Sequence, residues 1–410
     1  MAKGFTTTIL HNDRQKPIEH GSLHKPVHTS VTYGYGDARD LAAVFQSRQS
    51  GYRYGRQGNP TVTALEDKIT QMEQGVASLC YASGMAAIAA LPQALLKAGD
   101  HVVSSIFLFG NTSNLWQTAS SLGIEVSYVD ATNVENVAAA LTAATRMVFV
   151  ETIANPRTQI ADLEKIGALC AARGILFVVD NTMTTPYLFQ PKTVGAGLVI
   201  NSLTKSISGH GDVLGGCITD TGAYDWRKYP NIAGNIHKQP EAMWGISQLR
   251  SKSLRDFGAC LSADAAHQVA IGAETMALRL DRQCINTTVL TDMLASHANV
   301  DKVYYPGLNN HPQHGLSSKL FKAYGSIFSF ELKASIDCFD FLNKLTIAIS
   351  ATHLGDNRTL ILPVAQTIFF EMGAKRRAEM DIAESLIRVS VGIEDTADLI
   401  ADFKQALDSF

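Results

Sequence analysis

The stretch Asn201–Asp212, NSLTKSISGHGD, follows the apolar run GLVI (197–200) and sets one lysine, Lys205, among hydroxyls and glycines. On a surface loop such a lysine is ordinarily a solvating charge. Just past the end of a buried strand its amine faces whatever binds there, so the reading turns on whether the flanking chain forms a covered sheet.

The flanking pattern supports one. The short apolar runs HVVSS (101–105), RMVFVET (146–152), ILFVVDNT (175–182) and GLVI alternate with alanine-rich segments, which predict helices over Val134–Thr145 and Asp162–Arg173. Strand and helix in alternation imply βαβ units and a mostly parallel sheet with helices on its faces. Upstream, Asn59 can cap a helix whose first turn takes Pro60, and Val62, Leu65, Ile69 and Met72 form one apolar stripe. Residues 79–96 read as a strand end feeding a buried helix, since Ser83, Gly84, Pro92 and Gln93 interrupt any membrane span.

After about residue 255 the texture changes. Helices are predicted over Ala259–Leu280 and Asn286–Ala298, followed by the strand-like GSIFSFEL (325–332) and LIRVSVGI (386–393). The expected organisation is an arm over 1–60, a large domain over 61–255 and a smaller C-terminal α/β domain over 256–410.

Composition excludes several classes. The 410 residues are 46% hydrophobic and 18% charged with a net charge of −3, the balance of an ordinary soluble protein. The one basic cluster, Lys375-Arg376-Arg377, reads as a solvated helix face and is too small to track nucleic-acid phosphates. Six dispersed cysteines without a CxxC pair suit reduced thiols. The start, MAKGFTTTIL, lacks the apolar core of a secretory signal, so a cytoplasmic location is expected. His20, His24 and His28 stand at helical spacing, but Gly21 and Pro26 interrupt a helix there, so no metal face is expected.

In open parallel sheets ligands sit beyond the carboxyl ends of the strands. Three such ends carry chemistry. Ser83-Gly84-Met85 opens a helix whose N-terminus suits a phosphate. Asp180 ends an apolar strand and needs a cation to remain charged. Ser202, Thr204 and Lys205 follow GLVI. A phosphate, a protonated ring nitrogen and an aldehyde are the matching ligand groups, and pyridoxal phosphate carries all three.

YGRQGNPT (54–61), YASGMAAI (81–88), ETIANP (151–156), VVDNTMTTP (178–186), NSLTKSISGHGDVLGG (201–216) and LIRVSVGIED (386–395), in this order, closely resemble the cystathionine γ-synthase, or Cys/Met metabolism, family of pyridoxal phosphate enzymes. The resemblance runs through nearly the whole chain and implies an aminotransferase-like α/β fold. It implies that Lys205 holds the cofactor as a Schiff base and shuttles protons, while Asp180 pairs with the ring nitrogen. Gly84, Met85, Ser202 and Thr204 would bind the phosphate, Phe109 would stack on the ring and Asn155 would face its phenolic side. Tyr54 and Arg56 would reach the phosphate of a neighbouring subunit in a homodimer or homotetramer. Arg388 and His353 would bind an amino-acid substrate, with no nucleic acid or membrane as partner.

Three departures shape the expected activity. Phe109, in FLFGNT, stands where the family usually has a tyrosine, so the hydroxyl that serves as an acid or base near the γ-substituent is gone. HLGDNRTL (353–360) resembles the corresponding segment of O-acetylhomoserine sulfhydrylases. LPVAQTIFFEMG (362–373) departs from the family's usual HPASxTH and puts the pocket floor in question. An ester leaves as a carboxylate that needs little protonation. The first expectation is therefore γ-replacement on an O-acylhomoserine with a sulfur nucleophile. The second is a γ-lyase acting on methionine, homocysteine or cystathionine, and a distant third is a non-catalytic protein that binds the cofactor.

Overall fold

A computed structural model describes residues 3–410, with the side chains of Arg376 and Glu379 excepted. Seven strands form the larger sheet: β1 (Ala77–Tyr81), β2 (His101–Ser105), β3 (Glu125–Val129), β4 (Thr145–Glu151), β5 (Leu176–Asp180), β6 (Leu198–Asn201) and β7 (Gly216–Asp220), in the order β1-β7-β6-β5-β4-β2-β3. Only β7 runs against its neighbours β1 and β6. Side chains alternate between the faces, so Phe149, Val178 and Ile200 enter one core, while Val148, Phe177 and Val199 enter the other. Both faces are covered, which is why these strands read as continuous apolar runs.

A second sheet holds β8 (Val300–Tyr304), β9 (Ile327–Leu332), β10 (Ile349–Ser350), β11 (Leu360–Pro363) and β12 (Leu386–Ser390), ordered β10-β11-β12-β9-β8 and largely antiparallel. Its core, around Phe328, Phe330, Phe341 and Phe403, is separate.

Local signals worked where they were strong. Asn59 caps the Pro60–Met72 helix, its Oδ1 accepting from the backbone of Thr61 at 2.9 Å and Val62 at 3.3 Å. The four residues of its apolar stripe are buried. Elsewhere the boundaries differ from expectation. The helix from Val134 stops at Ala140, because Thr142 turns the chain back through hydrogen bonds to Thr145 before β4 begins. The predicted helices over 259–280 and 286–298 are Ala263–Glu274 and Met276–Ala295: the break falls at Thr275, and the polar residues 281–286 carry no helix breaker. Arg377 is no solvated face, since it pairs with Glu384 at 2.7 Å and donates to the carbonyls of Phe369 and Phe370. The side chain of Arg376 lies outside the described residues.

The six cysteines are free thiols. Among the described residues no helix is long and apolar enough to cross a membrane. The arm is pinned by a buried cation: Lys68 Nζ lies 3.0 Å from Glu274 and 3.7 Å from Asp13. His24 joins this cluster, 3.6 Å from Glu274, and does not share a helix face with His20 and His28.

One buried acid organises the ends of β5 and β6. Glu73 is wholly buried, and its Oε1 accepts from Asn181 Nδ2 at 3.2 Å and Asn201 Nδ2 at 2.6 Å. These asparagines lie at the two strand exits, so Glu73 sets the spacing between Asp180 and the loop carrying Lys205. Burial pushes the Glu73 pKa from 4.5 up to about 7. The folded chain therefore keeps this proton at pH values where the unfolded chain has lost it, and stability falls as pH rises from about 4 towards 7. In the cofactor-free protein, Glu73→Gln should flatten that part of the profile. Glu73→Ala removes one acceptor from each of two buried amides, leaving Asn181 only its bond to the Phe189 carbonyl, and should cost about 1–3 kcal/mol in urea unfolding. Identical midpoints for the wild type and Glu73→Ala would refute this role.

Candidate active site

The carboxyl ends of the parallel strands and the edge of the second sheet enclose a cavity of about 320 Å³. Gly84, Met85, Phe109, Asn155, Asp180, Ser202, Thr204, Lys205 and Arg388 all line it, so nine of the twelve candidate residues are brought together. His353 lies behind Lys205, with Nδ1 3.3 Å from Nζ.

Close backbone packing builds one end. Ser83 caps the Gly84–Leu95 helix through Ala86 at 3.1 Å. A Cβ on Gly84 would sit 2.9 Å from Ser202 Oγ, so only glycine lets the helix start approach the loop after β6. The Ser202 amide donates to Thr182 Oγ1 at 2.8 Å. Thr204 Oγ1 accepts from the Gly215 amide at 2.9 Å and donates to its carbonyl at 3.2 Å, so this hydroxyl braces the loop.

The charges are enclosed. Burial, followed by the Arg388 charge, pushes the Lys205 ammonium down to about 8. Burial raises the Asp180 carboxyl, against the Thr182 amide that donates to its Oδ1 at 3.0 Å. Glu151, paired with Asp180 across β4 and β5, is raised by burial and by the Asp180 charge, and its Oε1 accepts from the Phe109 amide at 2.7 Å. Arg388, 2% exposed, donates to the carbonyls of Thr352 and His353 at 3.0 Å each and to Asn155 Oδ1 at 3.4 Å. Its Nε is buried without a partner, and no carboxylate among the described residues pairs with it. His353, pushed down to about 4 chiefly by burial and then by Lys205, is neutral, and its Nε2 is likewise buried without a partner.

Tyr54 and Arg56 are not brought to this cavity by their own chain. The Arg56 guanidinium sits 5.4 Å over the Tyr54 ring and donates to the Arg255 carbonyl, in a separate surface cleft near Cys260. Conversely, Glu151, Thr182, Leu214, Leu354 and Ile368 line the cavity without having been singled out. Glu151 closes an apolar strand as Asp180 does, so its position was a usable signal. Ile368 offered none locally, because it arrives from a loop far along the chain.

A helix N-terminus that admits close approach, a buried acid, an amine lowered by burial and an unpaired guanidinium together fit pyridoxal phosphate and an amino acid's carboxylate. Comparison with known proteins agrees. The model of the Cys/Met metabolism PLP-dependent enzyme family matches residues 6–408. An L-methionine γ-lyase of Fusobacterium nucleatum is 36% identical over 409 residues, covering 99% of this chain and 98% of that protein. A homocysteine synthase of Schizosaccharomyces pombe is 33% identical over 420 residues, covering 98% of each. A crystal structure of a putative O-acetylhomoserine (thiol)-lyase from Campylobacter jejuni superposes with a TM-score of 0.90 at 29% identity, covering 99% of this chain and 100% of that one, and carries N'-pyridoxyl-lysine-5'-monophosphate at its position 205. The chain therefore belongs to the pyridoxal phosphate-dependent enzymes of cysteine and methionine metabolism, and its cofactor is pyridoxal phosphate.

Proposed function

We propose that this enzyme breaks the bond between Cγ and its heteroatom in a four-carbon amino acid, acting as a γ-lyase on a sulfur amino acid and releasing a thiol, ammonia and 2-oxobutanoate. The observation that carries amino-acid chemistry at Cα is the buried Arg388 guanidinium without an acidic partner, close enough to Lys205 for its charge to depress the lysine. An amino acid held by its carboxylate there presents Cα to the lysine amine. Similarity to a methionine γ-lyase over nearly full length supports elimination, and moves it ahead of the γ-replacement expected from the sequence.

Bound pyridoxal phosphate supplies the electron sink that makes the substrate's Cα–H acidic. The protein's own groups do the rest. Arg388 orients the carboxylate through its free Nε, while His353, beside Lys205 and outside the cavity lining, steadies the lysine amine. Lys205, lowered to about 8, has enough neutral amine near neutrality to take the Cα proton and return protons along the substrate. Asp180 would hold a proton at the ring nitrogen, Asn155 would lie towards the phenolic oxygen, and the Gly84–Met85 amides with the Ser202 hydroxyl would receive the phosphate, with Thr204 reaching it only by giving up its bond to the Gly215 carbonyl. Tyr54 and Arg56 act in the site of a second copy, since their own chain holds them outside the cavity.

Phe109 favours a second reading, γ-replacement on an O-acylhomoserine. Its ring lines the cavity without a hydroxyl to protonate a departing thiolate, whereas a departing carboxylate needs no such help. Similarity to a homocysteine synthase agrees with it.

Product analysis separates these readings. The holoenzyme should form 2-oxobutanoate from methionine without an added thiol. Faster consumption of O-acylhomoserine with sulfide would put the second reading first, and turnover of neither would leave a cofactor-binding protein. Phe109→Tyr should raise thiol release, towards the order of 10²-fold typical of a well-placed acid, and alter ester turnover little. Lys205→Ala should abolish both turnover and borohydride-stable attachment of the cofactor. Arg56→Ala should also be inactive, yet oligomers mixed from the Arg56→Ala and Lys205→Ala chains should recover activity, because in a two-fold dimer one of the two sites then carries neither lesion. No recovery despite demonstrated subunit exchange would place Arg56 in its own chain's site.

A further inference from the structure

The cavity wall carries information beyond the reaction type. Phe109, Leu214, Leu354 and Ile368 form its apolar side. Among the described residues the cations in the wall are Lys205 and Arg388, both committed to the chemistry above. Nearby cations are spoken for: Arg157 pairs with Asp381 at 2.7 Å and lies over the Tyr304 ring, Arg358 grips Asp356 through two nitrogens, and Arg377 pairs with Glu384. The titratable groups on the opposite side, Glu151 and Asp180, are acids and offer no cation.

Ile368 belongs to LPVAQTIFFEMG, the segment that departs from the family pattern. Phe369 is buried in a small core with Val364, Ala365, Met380 and Ile382, while Phe370 points outward at 66% exposure. Ile368 packs against the margin of that core and also lines the cavity. Its carbonyl lies 3.8 Å from where a Cβ on Gly110 would stand, so this segment rests against the turn that carries Phe109.

We propose that the site accepts substrates whose distal group is uncharged, such as a methylthioether or an acetyl ester, and rejects those whose distal group carries a carboxylate, with Ile368 as the residue that sets this selection. The proposal rests on the γ-chemistry reading above and holds for elimination and replacement alike. A carboxylate placed against Phe109, Leu214 and Ile368 loses its water and gains no cation, which is a heavily penalised burial.

Two amino acids without a γ-leaving group test selection apart from turnover. L-norleucine ends in a methyl group and L-2-aminoadipate in a carboxylate, and each can be titrated into the holoenzyme while the cofactor's absorbance is followed. Norleucine should bind at least about 10²-fold more tightly. Where ester turnover is detectable, O-acetylhomoserine should exceed O-succinylhomoserine in kcat/KM by a similar factor. Ile368→Arg should narrow the norleucine preference by about tenfold or more, with the cofactor spectrum retained; if this variant does not fold, the wild-type binding ratio still decides. Comparable binding of the two amino acids alongside normal turnover would overturn the selection and leave the γ-chemistry standing. Failure of both amino acids to perturb the cofactor would overturn the selection and the reading it rests on.

Discussion

The structure depends on keeping three charged side chains, Asp180, Lys205 and Arg388, in one small cavity without letting them neutralise one another. None forms an ion pair with another within 4.0 Å, although burial disfavours the charged form of each. In a protein selected only for stability, such charges would be paired or replaced by apolar groups, because removing an ion from water without a counter-charge is costly. On the proposed reading, the missing counter-charges are those of the cofactor and the substrate. The polar contacts that do exist, carbonyls for Arg388, an amide for Asp180 and an imidazole for Lys205, hold each group in place without cancelling its charge.

Holding charges apart requires a rigid frame, and the frame is traceable. Asp180 and Lys205 leave adjacent strands, whose exits are tied by Asn181 and Asn201 to one oxygen of Glu73. Glu73 follows the Pro60–Met72 helix, which the Lys68 cluster joins to the arm and to the Ala263–Glu274 helix. Arg388 comes from the other sheet, where β12 is hydrogen-bonded on both sides, to β11 and β9. The Asn155–Arg388 contact then joins the loop after β4 to β12.

What could be read from sequence follows the range of the interactions. The Asn59 cap, the helix start at Ser83 and the chemistry at the ends of β5 and β6 were legible because each is decided within a few residues. Glu151 was within reach by the same argument, but a glutamate at a strand end resembles a solvent-facing terminus until its partner Asp180 is placed beside it. The long Met276–Ala295 helix was divided in the wrong place because residues 281–285, Gln283 among them, were left as a gap before a helix start at Asn286. In the fold Gln283 and Asn286 are buried and donate to the carbonyls of Asp356 and Gly392. The segment carrying Ile368 stood out by its departure from the family pattern, but which of its side chains enters the cavity was not legible, since that follows from how Phe369 and Ile368 pack against residues on both sides of a loop. Tyr54 and Arg56 illustrate a different limit: one chain places them away from its own cavity.

The cavity is thus made of two parts with separate origins. The charged floor is tied to the large sheet through strand exits, backbone amides and the Glu73 clasp, so a substitution there disturbs several elements at once. The apolar wall is assembled from single side chains on loops, and changing one of them alters shape or charge without loosening the frame. Phe109 stands where the two parts meet. Its amide donates to Glu151 on the floor, while its ring belongs to the wall. A hydroxyl added to that ring would extend the floor's proton chemistry into the wall, and its absence leaves Lys205 as the proton carrier closest to the reacting carbons. The fate of the γ-substituent then depends less on acid assistance than on what can reside beside Phe109 and Ile368. On the proposed reading, substrate choice and reaction outcome are governed by the same few apolar contacts.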